Sequence, residues 1–364
     1  MKRIGIITWH YYPNYGSHLQ AFALKRYLSL QGYDVFFINF RDTKFGKSSR
    51  LKKYITGLLL CIPQSICQVI SKKITFASYR FEKKYIPQTS LAYNQEQLRS
   101  LANKFDTIIC GSDQIWAPNV FNPIYMLNFV PDDINKVSYG ASIGLEHIPE
   151  KLVEDYKKYI GRINHVSIRE DKGKEILKSQ CGIDATVVLD PTLLLAKAEW
   201  DKIKKPSKLK GKYIFCYFLK ADHQYKELVK EYAIKNGYKI YGVSDSPDDL
   251  TWMNCFNHQI VGPCEFIGLI EGAEGVFTDS YHGAIFSMIY HKSFTLFERF
   301  NSSDKICQNS RIEQLKKYFG IDENVVRAES LKTVELNSID YDSFEKSLAS
   351  LREHSASFLN KALK

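Results

Sequence analysis

An ionisable ring at the junction of a strand pattern and a helix pattern is the residue best placed to do chemistry. In Asp279-Ser280-Tyr281-His282-Gly283-Ala284, His282 follows the apolar run Gly275–Thr278 and precedes the apolar run 284–290. With a further strand pattern over Ser293–Phe297 the segment reads as βαβ, which puts His282 at a helix N-terminus. There, unpaired backbone N–H groups and the helix dipole favour a phosphate or carboxylate, and Gly283, lacking Cβ, would let a ligand approach the backbone closely. The competing reading is a histidine that only starts a helix and hydrogen-bonds locally.

The elements that must position this ring extend over a chain of 364 residues, more than one ordinary core holds, so two domains with a cleft are expected. Residues 3–9, 34–40, 107–110 and 137–139 read as strands. Residues 16–31 read as an amphipathic helix with Leu19, Phe22, Ala23, Tyr27 and Leu30 on one face. A lysine-rich stretch, 197–212, contains Pro206 and Gly211 and separates an N-terminal Rossmann-like lobe, 1–196, from a C-terminal one, 212–340; residues 341–364 form a final helix. The second lobe alternates strand (213–218), helix (223–236), strand (239–243) and helix (265–272) before the His282 unit. Loops after the carboxyl ends of parallel strands are where such proteins build sites.

Composition narrows the class. With 45% hydrophobic, 25% charged and 13% aromatic residues, the chain is a globular protein, and a net charge of +10 without a long like-charged block favours anionic partners. Eight cysteines without CxxC spacing read as free thiols in a reducing compartment, which points to the cytoplasm, and no residue spacing suggests a bound metal. Residues 47–73 form a basic-flanked, broken apolar insertion. It is too short to span a bilayer, and either docks peripherally on the inner face of the membrane or packs as a hairpin on its own lobe.

Six motifs occur in one order: His10–Leu24, Gly111–Trp116, Tyr139–Gly144, Ser167–Asp171, Leu189–Thr192 and Asp279–Gly283. In this the chain resembles the polysaccharide pyruvyl transferases. The resemblance implies two Rossmann-like α/β lobes in a GT-B-like pair with the active site in the interlobe cleft. It implies phosphoenolpyruvate as donor, no tightly bound cofactor, and a glycan or lipid-linked sugar as acceptor, giving a pyruvate ketal in surface polysaccharide (exopolysaccharide) synthesis. On that reading His282 is the acid and Arg169, just beyond the 166–168 strand, clamps the donor; an ion pair of Arg169 with Glu170 or Asp171 is the alternative. Many members carry an arginine two residues before the histidine, where this chain has Ser280, so Arg299 or Arg311 would supply the missing charge near Ser280 and Gly283.

The loop Ser112-Asp113-Gln114 with Trp116 suits a sugar, since amide and carboxylate groups bond hydroxyls while an aromatic face covers the ring. Asp113 serves there as base or as a cap. Asn14, Tyr15, Gly16 and Gln20 open the first helix and are placed to touch the acceptor, although capping and helix packing also explain them. Two other functions fit the same scaffold: a GT-B glycosyltransferase using a nucleotide sugar, and a noncatalytic glycan-binding scaffold. Nucleic acid is not expected as a partner, because the basic residues are dispersed and no recognition module is present.

Overall fold

The computed structural model describes residues 1–10, 14–40, 76–219, 223–244, 261–299, 309–327 and 333–364. The 47–73 insertion lies outside the described residues. Among the described residues no helix is long and apolar enough to cross a membrane.

Each lobe is built on a parallel sheet. In the N-terminal lobe β1 (Arg3–Ile7), β2 (Asp34–Phe37), β3 (Thr107–Cys110) and β4 (Asn135–Ser138) lie in the order β2-β1-β3-β4. Single bridges, Val137 to His165 and Ala141 to Ile168, bring β5 (Ser167–Ile168) and β6 (Thr186–Val187) alongside. In the C-terminal lobe β7 (Tyr213–Phe218), β8 (Lys239–Ser244), β9 (Gly275–Thr278), β10 (Ser293–Phe297) and β11 (Val325–Val326) lie in the order β11-β10-β9-β7-β8. Strands such as Thr-Ile-Ile-Cys of β3 and Tyr-Ile-Phe-Cys-Tyr-Phe of β7 are buried at every position, as sheets covered on both faces require. These are two Rossmann-like α/β lobes facing each other in the GT-B manner.

The order of strands reverses between β1 and β3 in one lobe and between β7 and β9 in the other. Such reversals splay the loops at the carboxyl ends of the two strands and leave a crevice. Here the two crevices face one another.

The lobes share one apolar core rather than meeting only at the cleft. The Tyr15–Leu30 helix, capped by Asn14 Oδ1 accepting from the Ser17 N–H at 3.1 Å, is buried on every side from Tyr15 to Leu24. The one-faced pattern expected of it fails because C-terminal-lobe helices Pro263–Gly272 and Tyr281–Ile289 cover its second face. Tyr15 stacks on Phe266 with ring centroids 4.8 Å apart, and Trp200 lies 5.5 Å from Phe22 and 4.8 Å from Phe286. Leu30, assigned to the apolar face, is instead 50% exposed.

The last helix, Tyr341–Ala362, ties the lobes a second time. Phe344 packs on Phe319 of the C-terminal lobe, while Ser355 Oγ accepts from the Leu189 N–H at 3.0 Å and the Ala362 carbonyl accepts from Asn135 Nδ2 at 2.8 Å.

Candidate active site

A cavity of about 420 Å³ opens where the two crevices meet. Trp9 after β1 and Asp113 and Gln114 after β3 line it from the N-terminal lobe, with Asn14 and Ser17 from the first helix and Val120, Asn122 and Tyr125 from the segment that follows Trp116. Leu219 after β7, Ser280, Tyr281 and His282 after β9, Arg299 after β10 and Arg311 line it from the C-terminal lobe.

His282 lies in the first turn of the Tyr281–Ile289 helix. Ser280 is the N-cap, its Oγ accepting from the Gly283 N–H at 3.3 Å. The cap leaves the N–H groups of Tyr281 and His282, which no intrahelical carbonyl can reach, facing the N-terminal end. Gly283 therefore does not serve ligand approach as its sequence suggested: its N–H is taken, and a Cβ there would sit 2.5 Å from Thr278 Oγ1. The glycine is needed for the helix to pack on the end of β9.

The ring of His282 is held between the lobes. Its Nε2 faces Asp190 Oδ2 at 3.4 Å, and a Cβ on Gly16 would fall 2.2 Å from its Nδ1, so only glycine at 16 permits the approach. Asp190 in turn pairs with Arg169, Nη2 to Oδ2 3.2 Å, and its Oδ1 accepts from the N–H (2.9 Å) and hydroxyl (2.6 Å) of Thr192. Burial opposes ionisation of Asp190, but Arg169 and His282 outweigh it and hold the carboxyl below the usual carboxylate range.

Arg169 does not reach the cavity, which corrects its expected place as donor clamp. It is 2% exposed, hydrogen-bonds Ser112 Oγ and pairs with Asp190 rather than with Glu170 or Asp171. Glu170 instead accepts from Ser142 Oγ and the N–H groups of Ile143 and Gly144 at 3.0–3.2 Å, and Asp171 pairs with Lys317. The reason is topological: the loop after β6 delivers Asp190 against the end of β5 and occupies the guanidinium from behind.

The guanidinium that does face the cavity is Arg311, in the first turn of the Ser310–Phe319 helix, with Arg299 beside it. Arg311 is 6% exposed and makes no ion pair among the described residues. Burial, then the neighbouring charges of Arg299 and Arg169, bring it down to about 10. Tyr281 stands between Arg311 and Arg169, its ring centroid 5.4 Å from each guanidinium carbon.

On the opposite wall Asp113 has φ of +80°, a conformation uncommon outside glycine, which aims its carboxylate back toward the first helix. Oδ2 accepts from Ser17 Oγ at 2.6 Å and Oδ1 from the Gln114 N–H at 2.9 Å. Gln114 Nε2 is buried without a hydrogen-bond partner among the described residues and packs on Gly144, where a Cβ would fall 2.1 Å from it.

Several residues read as acceptor contacts lie elsewhere. Trp116 is wholly buried in the N-terminal lobe, its indole N–H donating to the Tyr125 carbonyl at 2.9 Å. Tyr15 donates to the Val261 carbonyl at 3.0 Å within the interlobe core. Gln20 accepts from the Ser112 N–H at 3.2 Å and donates to the Ser17 carbonyl at 3.0 Å, so it and Ser112, whose Oγ donates to the Gly140 carbonyl, brace the loop from behind. Gly16 meets His282 and not an acceptor.

Sequence reasoning missed Trp9, Tyr125, Asn122 and Asp190. Trp9 lies at the carboxyl end of β1, a position that by itself marks a site wall, and meets Tyr125 edge to face at 6.2 Å. Asp190 stood in a quoted motif, but nothing local reveals a partner 92 residues away. Among the described residues no group of three His, Cys, Asp or Glu could hold a metal ion.

The polysaccharide pyruvyl transferase family model matches residues 14–299. Comparison with curated proteins gives no match. Among solved structures, an alpha-glucosyltransferase in complex with UDP and a 13-mer DNA containing an HMU base is 11% identical, with TM-score 0.48 over 99% of this chain and 93% of its own. A putative UDP-N-acetylglucosamine 2-epimerase from Listeria monocytogenes is 10% identical, with TM-score 0.47 over 99% and 90%. The UDP-GlcNAc 2-epimerase from Methanocaldococcus jannaschii is 13% identical, with TM-score 0.46 over 95% and 91%. Likeness at this level carries no statement about chemistry. The family match runs from the first helix through both facing crevices to Arg299: the chain belongs to the polysaccharide pyruvyl transferase family.

Proposed function

We propose that the chain transfers the pyruvyl group of phosphoenolpyruvate to two hydroxyls of a sugar, forming a pyruvate ketal in surface polysaccharide synthesis. One observation carries this reading. A single cavity joins two guanidiniums and an imidazole from one lobe to a carboxylate from the other. Phosphoenolpyruvate bears a phosphate and a carboxylate, and Arg299 and Arg311 offer a planar fork for each, in place of the arginine that Ser280 replaces. The first-turn N–H groups at Tyr281 and His282 add to the anion site.

The steps balance without an electron acceptor. His282 gives a proton to the methylene carbon, which becomes a methyl group, and positive charge develops at C2. A sugar hydroxyl attacks C2 while Asp113 takes its proton. The bond from C2 to the phosphate oxygen then breaks, and the second hydroxyl closes the ketal as its proton leaves with the phosphate. Gln114 and Asn14 can orient the acceptor hydroxyls, and Trp9 offers its ring to the sugar's apolar face.

The test is phosphate release from phosphoenolpyruvate with a panel of free and lipid-linked glycosides. His282→Ala should lose turnover by roughly 10²–10⁴-fold. Full activity in that variant removes His282 as the acid, and consumption of a nucleotide sugar instead of phosphoenolpyruvate would replace the reading with glycosyl transfer.

A further inference from the structure

Asp190 lines no part of the cavity, yet it faces the one imidazole that does. Its Oδ1 is committed to the N–H and hydroxyl of Thr192, which leaves Oδ2 to meet both Arg169, at 3.2 Å, and His282 Nε2, at 3.4 Å. The carboxylate itself is fully buried, so no substrate can take this oxygen.

We infer that Asp190 is a positioning residue that turns the His282 ring so that Nδ1, and not Nε2, delivers the proton to the substrate. The inference rests on the assignment of His282 as the acid and adds to it the reacting atom and what fixes it. Turned over about its Cβ–Cγ bond, the ring would place a carbon against a carboxylate, so an ionised Asp190 selects the observed orientation. Nε2 is buried and out of reach of a ligand. Nδ1 is the remaining nitrogen. It packs beside Gly16, where a Cβ would fall 2.2 Å away, but unlike Nε2 it is not fully buried, and no described residue hydrogen-bonds it.

Arg169 completes the device. A lone buried carboxylate would tend to take up a proton, and a neutral acid would hold the ring only weakly; the guanidinium at 3.2 Å keeps Asp190 an anion. The anion therefore holds the Nε2 edge of the ring toward itself, which leaves Nδ1 as the nitrogen that meets the substrate. The other charged or titratable groups around the ring do not compete for Nε2. Tyr281 meets it edge-on at 5.2 Å, Arg299, Arg311 and Asp113 stand around the cavity, and Glu170 is committed to the 142–144 turn.

The first test reads the native ring directly. Nitrogen-15 histidine spectra of the native chain, taken well above neutrality with His282 identified by its loss in His282→Gln, should show the neutral ring protonated on Nε2. Protonation on Nδ1 overturns the inference. In the second test Asp190→Asn, which can still accept from Thr192, should lower kcat by roughly 100-fold while KM for phosphoenolpyruvate changes by less than about twofold, since Arg299 and Arg311 are untouched.

If the unpaired Arg169 prevents that variant from folding, Arg169→Gln with Asp190→Asn removes both charges and should show the same kcat loss. Native kcat in either form sinks the positioning role even while His282→Ala stays inactive. A fully active His282→Ala would instead sink the acid assignment and leave the ring orientation standing.

Discussion

Tyr281 separates two buried guanidiniums that are chemically identical and electrostatically opposite. Behind it, Arg169 meets a full carboxylate and a hydroxyl; in front, Arg311 meets no counter-ion among the described residues and borders another arginine. Their charges respond accordingly. Burial disfavours both cations, but Asp190 together with Tyr281, Asp113 and Glu170 more than offsets this for Arg169, whereas Arg299 and Arg169 add to it for Arg311. A cation satisfied by its own chain is a structural part. One left without an anion in a cavity is a binding part, because the ligand supplies what the fold withholds.

The sharpest way to break this contrast is to delete each charge in turn and measure urea unfolding. Arg169→Met strands a buried carboxylate and should cost about 3–5 kcal/mol, while Arg311→Met removes an uncompensated cation and should leave stability unchanged or higher. Equal losses would erase the distinction. The acid limb of stability gives a second handle on the rear pair. Asp190 has its folded pKa depressed, so its contribution is complete above the unfolded carboxylate range and is lost as pH falls through the folded value. The deficit of Asp190→Asn relative to the native chain should therefore persist from neutrality down to about pH 4 and shrink only below it.

Donor binding should sort the two arginines the other way. Arg311→Met should raise KM for phosphoenolpyruvate by roughly 10–100-fold, the worth of about 1.5–3 kcal/mol for a charge-assisted contact, and folded Arg169→Met should leave it alone. Inorganic phosphate at tenfold its Kd should stabilise the native chain by about 1.4 kcal/mol in thermal melts and should not stabilise Arg311→Met. The smallest effect is the parallel contrast between two tryptophans. Trp9→Ala should raise KM for the sugar by roughly tenfold or less, and Trp116→Phe should change stability without changing that KM.

The legible part of the site was local. A histidine between a strand pattern and a helix pattern must stand at a helix N-terminus, whereas the Ser280 cap on Gly283 came to light only in the structure. The strand-end positions of Asp113 and Gln114 followed from the same kind of reading. What failed was the direction of side chains along irregular loops. Trp9 and Trp116 both follow apolar strands, but the 3-10 turns after Trp116 fold back over its indole and bury it, while Trp9 borders the crevice.

Alternating apolar strands and helices, interrupted near 197–212, were enough to determine two parallel α/β lobes, because each element's burial is written in its own residues. The tertiary structure alone decided which arginine is paired and which waits, that the first helix is buried between the lobes, and that Gly16 lies beneath His282. Each of these depends on a residue far away in the chain, and the energy of a charge or of a missing Cβ is set by its neighbour in space.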